Sequence, residues 1–162
     1  MADRVSASIT VGGALTTAQY LDLAQIIADE GLSVEWDGDP FEPQHRKVDE
    51  PLSLYAHEVA WGRFENLESW CVDKGLPFVR CSGACPGQWG AERVVFIGTG
   101  EPARYAADED DYIVIGRRTA EKLGSIEAIF AYFDEADFAV PPLVVEGEAI
   151  DVALDLDVLA AE

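Results

Sequence analysis

A chain of 162 residues with 49% hydrophobic and 10% aromatic side chains is long and apolar enough to bury a core, which argues against a disordered polypeptide. Its 31 Asp and Glu against 11 Lys and Arg leave a formal net charge of −20, so direct binding to DNA or RNA is disfavoured. No run approaches the roughly 18 apolar residues of a membrane span, the first residues lack the pattern of a signal peptide, and three cysteines make no disulfide framework. The expectation is a cytoplasmic protein, residues 1–162 forming a single domain with no membrane partner.

In chain order, Val5, Ala7, Ile9 and Val11 alternate with Ser6, Ser8 and Thr10, the period of a half-buried strand that Gly12-Gly13 ends. Thr16 or Thr17 can cap a helix with the apolar stripe Tyr20, Leu23, Ala24, Ile27 and Ala28, and Gly31 suits its end. Leu32 to Trp36 reads as a strand, closed by the turn signal Asp37-Gly38-Asp39-Pro40, and the polar stretch to Glu50 as a loop. Leu52 to Val59 is the next strand. Phe64, Leu67 and Cys71 mark the inner face of a second helix, stopped by Gly75-Leu76-Pro77, and Phe78 to Cys81 is the strand that follows. This β-α-β-β-α-β order predicts an α+β fold: a ferredoxin-like βαββαβ two-layer sandwich over residues 5–82, with both helices on one face of an antiparallel sheet.

Further strands and a third helix extend it. Arg93 to Gly98 and Tyr112 to Gly116 read as strands, and Thr119 to Asp137 as helix interrupted at Gly124, where Ser125 can cap a piece with the stripe Ile126, Ile129, Phe130 and Phe133. After Pro141-Pro142 come Leu143 to Val145 and then an alternation of Ile150, Val152, Leu154, Leu156 and Val158 with Asp151, Ala153, Asp155 and Asp157, a strand signal. If the chain subdivides, a ferredoxin-like half (1–90) precedes an acidic ββαββ half (91–162).

Several constellations carry the residue types of chemistry without its spacing. Cys71, Cys81, Cys85 and His57 supply zinc-ligand types, but only Cys81 and Cys85 are closely spaced and Cys71 falls on a helix's inner face, so no metal is expected. Cys81 or Cys85 with His57 or His45 could form a nucleophile–base pair, though sequence supplies no third, orienting group. Gly98-Thr99-Gly100-Glu101-Pro102 lacks the lysine and third glycine of a phosphate cradle and reads as a turn. The run Asp108 to Asp111 has Ile113 and Thr119 where a calcium loop needs glycine and glutamate. Trp36, Trp61, Trp70 and Trp89 are expected at the core or its margin. No cofactor is implied.

The acid itself is the strongest functional signal. Residues 1–100 carry 15 acidic and 7 basic side chains, whereas residues 101–162 carry 16 and 4. Alternate strand residues lie about 6.8 Å apart on one face, twice the roughly 3.4 Å charge spacing along one DNA strand, so rows of carboxylates can imitate phosphates. The expectation is a non-enzymatic protein that binds and blocks a basic, nucleic-acid-binding partner: a DNA-mimic inhibitor of anti-CRISPR or anti-restriction type from a phage or other mobile element. Its partner-binding residues would be Asp108, Glu109, Asp110, Asp111, Asp134, Glu135, Asp137, Asp151, Asp155 and Asp157, with Glu146 and Glu148 alongside. An immunity or antitoxin protein against a basic nuclease shares these electrostatics. A salt-adapted housekeeping domain or enzyme, working near His57, Cys81 and Cys85, would share the composition but should spread its acid evenly.

Overall fold

A computed structural model describes residues 3–146 of the chain. The alternation near the N-terminus becomes strand β1 (Arg4–Val11), which buries Ala7, Ile9 and Val11 on one side and leaves Ser8 and Thr10 half-buried on the other. Gly12 separates it from a short β2 (Gly13–Leu15). Helix α1 (Thr17–Asp29) begins at a reciprocal cap: Thr16 Oγ1 accepts from the Gln19 amide, and Gln19 Oε1 accepts from the Thr16 amide. Its buried stripe is Tyr20, Leu23, Ala24 and Ile27, while Ala28 is exposed.

Strand β3 (Leu52–Ala60), helix α2 (Glu65–Lys74) and strand β4 (Phe78–Ser82) follow as expected, and Gly75 ends α2 in the left-handed conformation. The next strands are β5 (Glu92–Phe96) and β6 (Ala103–Ala106), the latter absent from the sequence reading. Helices α3 (Arg117–Leu123) and α4 (Ile126–Ala136) break at Gly124, and Ser125 Oγ accepts from the Ala128 amide. Strand β7 (Leu143–Val145) pairs in parallel with β2. The main sheet has the order β3-β1-β4-β5-β6, with every neighbouring pair antiparallel.

Two expected strands are corrected. Residues 32–36 make only one bridge, Ser33 to Tyr55, on the outer edge of β3. The chain turns away at once, because the Ser33 hydroxyl donates to the Gly38 carbonyl and Asp37 adopts a left-handed φ of 58°. Residues 112–116 likewise make one bridge, Ile113 to Ala107, as the return of a tight turn. The alternation at 150–158 lies outside the described residues.

Both faces of the sheet are partly covered. On one, Ala7, Ile9, Val11, Leu54, Phe78 and Phe96 pack with the buried stripes of α1 and α2, so these two helices share a side. On the other, Val79, Val95 and Tyr105 pack with Ala136, Tyr132, Phe138 and Val140 from α4 and the segment after it. The expected α4 stripe points elsewhere: Ile126 and Phe130 are each 60% exposed, and Ala136 is the buried residue of the helix.

A guanidinium is buried on the helix-covered face. Arg80, 1% exposed, donates Nε to Glu68 Oε1 (2.9 Å), Nη2 to Glu92 Oε1 (3.1 Å), and Nη1 to the Gly62 carbonyl (2.8 Å) and Ser82 Oγ (3.1 Å). These bonds compensate the desolvation of the charge. Glu68 Oε2 also accepts from the Phe64 amide at the start of α2, where Phe64 offers no side-chain cap.

Candidate partner-binding surface

The acidic turn is held by its own first residue. Asp108 Oδ1 accepts from the Asp110 amide (2.9 Å) and the Tyr112 amide (3.0 Å), and Asp111 takes a left-handed φ of 65°. This is the local bonding that suits Asp to turns. Glu109 Oε1 accepts from the Ala84 amide (3.2 Å), tying the turn to the end of β4. Asp108 and Glu109 are therefore engaged in structure, while Asp110 and Asp111 are exposed.

Arg93 links this turn to the end of α4. Its Nε donates to the Ala136 carbonyl (2.6 Å) and its Nη2 to the Phe138 carbonyl (3.3 Å), either side of Asp137. A cation there also suits the negative end of the helix dipole. The same guanidinium lowers the pKa of the Asp111 carboxyl, so one positive charge bonded at the end of α4 also bears on the 108–111 turn. Asp134, Glu135 and Asp137 are all exposed, and Glu135 acts on Tyr105, whose phenol is raised by burial first and by that charge second. Of the sequence-derived set, the structure thus gathers the turn and the α4 corner; Asp151, Asp155 and Asp157, with Glu148, lie outside the described residues. Ile126 and Phe130 form an exposed apolar row leading along α4 to Asp134, at spacings of four residues.

Burial raises the Asp111 carboxyl above its ordinary value; Arg93 lowers it, and Asp108, Glu109 and Asp110 raise it further. A carboxyl whose pKa is higher folded than unfolded favours the fold while protonated, and that contribution is lost as pH rises through the folded value. Asp111→Asn is therefore expected to raise Tm slightly at pH 7. The gap from the parent protein should close as pH falls towards about 4, the unfolded carboxyl value; thermal melts across that range check it.

Among the described residues, no hydrogen bond joins a cysteine to His57 or His45. Cys71 is buried on α2 among the helix-side core, whereas Cys81 packs with the core on the opposite face of the sheet. Burial pushes the Cys71 thiol up to about 12, and the thiols of Cys81 and Cys85 are raised as well, with Asp111 adding to the first and Asp3 to the second. Raised thiols are poor nucleophiles. Among the described residues, no group of three His, Cys, Asp or Glu side chains could hold a metal ion.

His57 instead meets two residues that the sequence reading missed. Ser6 Oγ and His57 Nδ1 share a 2.8 Å hydrogen bond, and His57 Nε2 lies 3.3 Å from Asp37 Oδ1. Trp36 stacks beside the imidazole, with centroids 4.8 Å apart. The residue types are those of a nucleophile, base and orienting acid, but His57 and Asp37 are 48% and 82% exposed. Water competes for both bonds, and the dry, preorganised setting that gives such a row catalytic strength is missing. Two of the four tryptophans depart from expectation: Trp36 and Trp61 are exposed, whereas Trp70 packs at the core margin and Trp89 is half-buried. Among the described residues, no helix is long and apolar enough to cross a membrane. Comparison of the chain with family models, curated proteins and solved structures finds no match.

Proposed function

We propose that this protein binds a basic, nucleic-acid-binding protein in the place of its nucleic acid, as a DNA-mimic inhibitor of anti-CRISPR or anti-restriction type. The observation that supports this reading is the exposure of Asp110 and Asp111 on the turn and of Asp134, Glu135 and Asp137 at the α4 corner, where Arg93 is bonded and from where it also acts on Asp111. Long-range attraction would speed the encounter, and the exposed Ile126 and Phe130 would supply apolar contact beside the charge. We read residues 4–82 as a ferredoxin-like frame whose second strand has shrunk to the Ser33–Tyr55 bridge, because the order bridge-β3-β1-β4 is the one that fold requires.

The test uses Asp110, Asp134 and Asp137, each changed to Lys. Asp108 is spared because it holds the turn, and Asp111 because a lysine there would face Arg93. A basic protein recovered from nuclease-treated host lysate should be displaced by duplex DNA and by rising salt. The triple variant should bind it at least about tenfold more weakly, a loss of about 1.4 kcal/mol, with Tm unchanged. Equal binding by the folded variant, or a partner that DNA does not displace, would refute the reading.

A further inference from the structure

Away from the acidic turn, a pocket of roughly 130 Å³ is lined by Trp61, Arg63, Trp89, Glu92 and Arg104. The two indole rings stand 5.8 Å apart at 40°. Trp61 follows β3 with a φ of 59°, an outlying conformation for a bulky residue, and Gly62 continues the turn at 66°. A Cβ on Gly62 would come within 2.9 Å of the Ser82 Cβ, and its carbonyl accepts from buried Arg80, so this turn is pinned to the sheet. Trp89 is fixed in turn by mutual backbone bonds with Cys85. Trp61 nevertheless remains 53% exposed, a large apolar ring lining the pocket from a pinned backbone.

The charges of the pocket run against those of the chain. Arg104 Nη1 bonds both oxygens of Glu92 (3.1 and 3.3 Å), but Glu92 already serves Arg80, whose other carboxylate is Glu68. The Arg63 side chain makes no ion pair or hydrogen bond among the described residues. The group therefore keeps one positive charge in a protein of net −20. A cationic ligand would be repelled by two guanidiniums, and a neutral ring would leave the exposed Arg63 to water and gain nothing from it. A planar ring carrying an anionic oxygen group satisfies both features, the ring against indole and the anion on guanidinium. The volume is below that of pockets for drug-sized ligands, which fits one ring system.

We propose that this pocket binds a small aromatic anion, a ring bearing a phosphate or a carboxylate. The inference does not rest on the proposed partner. Its test is tryptophan fluorescence, excited to the red of nucleotide absorption, during titration with adenosine monophosphate, benzoate, adenosine or inorganic phosphate. Either adenosine monophosphate or benzoate should bind at least about tenfold more tightly than adenosine and inorganic phosphate, and which of the two binds tells phosphate from carboxylate. Arg63→Gln should remove that advantage while leaving any adenosine binding unchanged. Trp61→Asn, which keeps a residue tolerant of left-handed backbone, should weaken the ringed anion about tenfold or more without lowering Tm. The proposal is overturned if neither ringed anion binds below about 10 mM, if adenosine matches adenosine monophosphate and benzoate does not exceed either, or if both variants bind as the parent does.

Discussion

Arg80→Met is expected to cost about 3–5 kcal/mol of stability, the range for removing one partner from a buried ion pair. The substitution keeps much of the side-chain volume, so the loss comes from the groups left behind: Glu68, partly buried, loses its cation, and the Gly62 carbonyl and Ser82 hydroxyl lose a donor. Glu92 suffers less, because Arg104 still reaches both of its oxygens. Adding Glu68→Leu should then recover part of the deficit, since an apolar replacement of both charges costs less than an orphaned one. Urea denaturation of the single and double variants checks both statements, and a single-variant loss under about 1 kcal/mol would show that the network contributes little.

Gly12→Ala is expected to detach the segment that carries β7, at a cost of about 3–6 kcal/mol, the worth of burying two large aliphatic side chains. A Cβ at Gly12 would sit 1.9 Å from the Pro141 carbonyl oxygen and 2.7 Å from Val140 Cγ1, and no rotamer change relieves a clash with backbone. What would lift away is β7, with the buried side chains of Leu143 and Val145 and the carbonyl that accepts from Arg46 Nη1. Limited proteolysis should find new cleavage between residues 138 and 146, alongside a lowered Tm. Gly31→Ala serves as the control: a Cβ there meets nothing within 4 Å, and only its φ of 74° is strained, so about 1 kcal/mol is expected.

The elements legible in the sequence were those where pattern and punctuation agreed. The alternation of β1, the capped stripe of α1 and the Gly124-Ser125 break each combine a period with a stop or cap, and each stands where expected. Leu32 to Trp36 failed because its apolar residues are followed at once by a turn that draws Ser33 into its own bonding. Strand β6 was missed because Ala-Arg-Tyr-Ala buries only Tyr105, too little for a period to register. The α4 stripe was read correctly as a stripe, yet amphipathicity cannot say which neighbour covers it, and the sheet took Tyr132 and Ala136 instead. Around the acidic surface, charge count was visible and convergence was not. Arg93 sits 43 residues from the carbonyl of Ala136 that it binds, and nothing local marks such a contact. The same holds for Trp61 and Trp89, joined only by the fold.

The interior position of β1, between β3 and β4, carries a consequence for the growing chain. It is the first of the sheet's strands to be synthesised, yet both of its hydrogen-bonding edges wait for partners that end at residues 60 and 82. At roughly 5–20 residues per second, that wait lasts on the order of several seconds. Throughout it, the run from Val5 to Leu21 offers no charge to discourage pairing with a strand of another nascent chain. The carboxylates that follow this run, from Asp22 onward, place like charge on every neighbouring copy, and that repulsion opposes such pairing until β3 and β4 arrive.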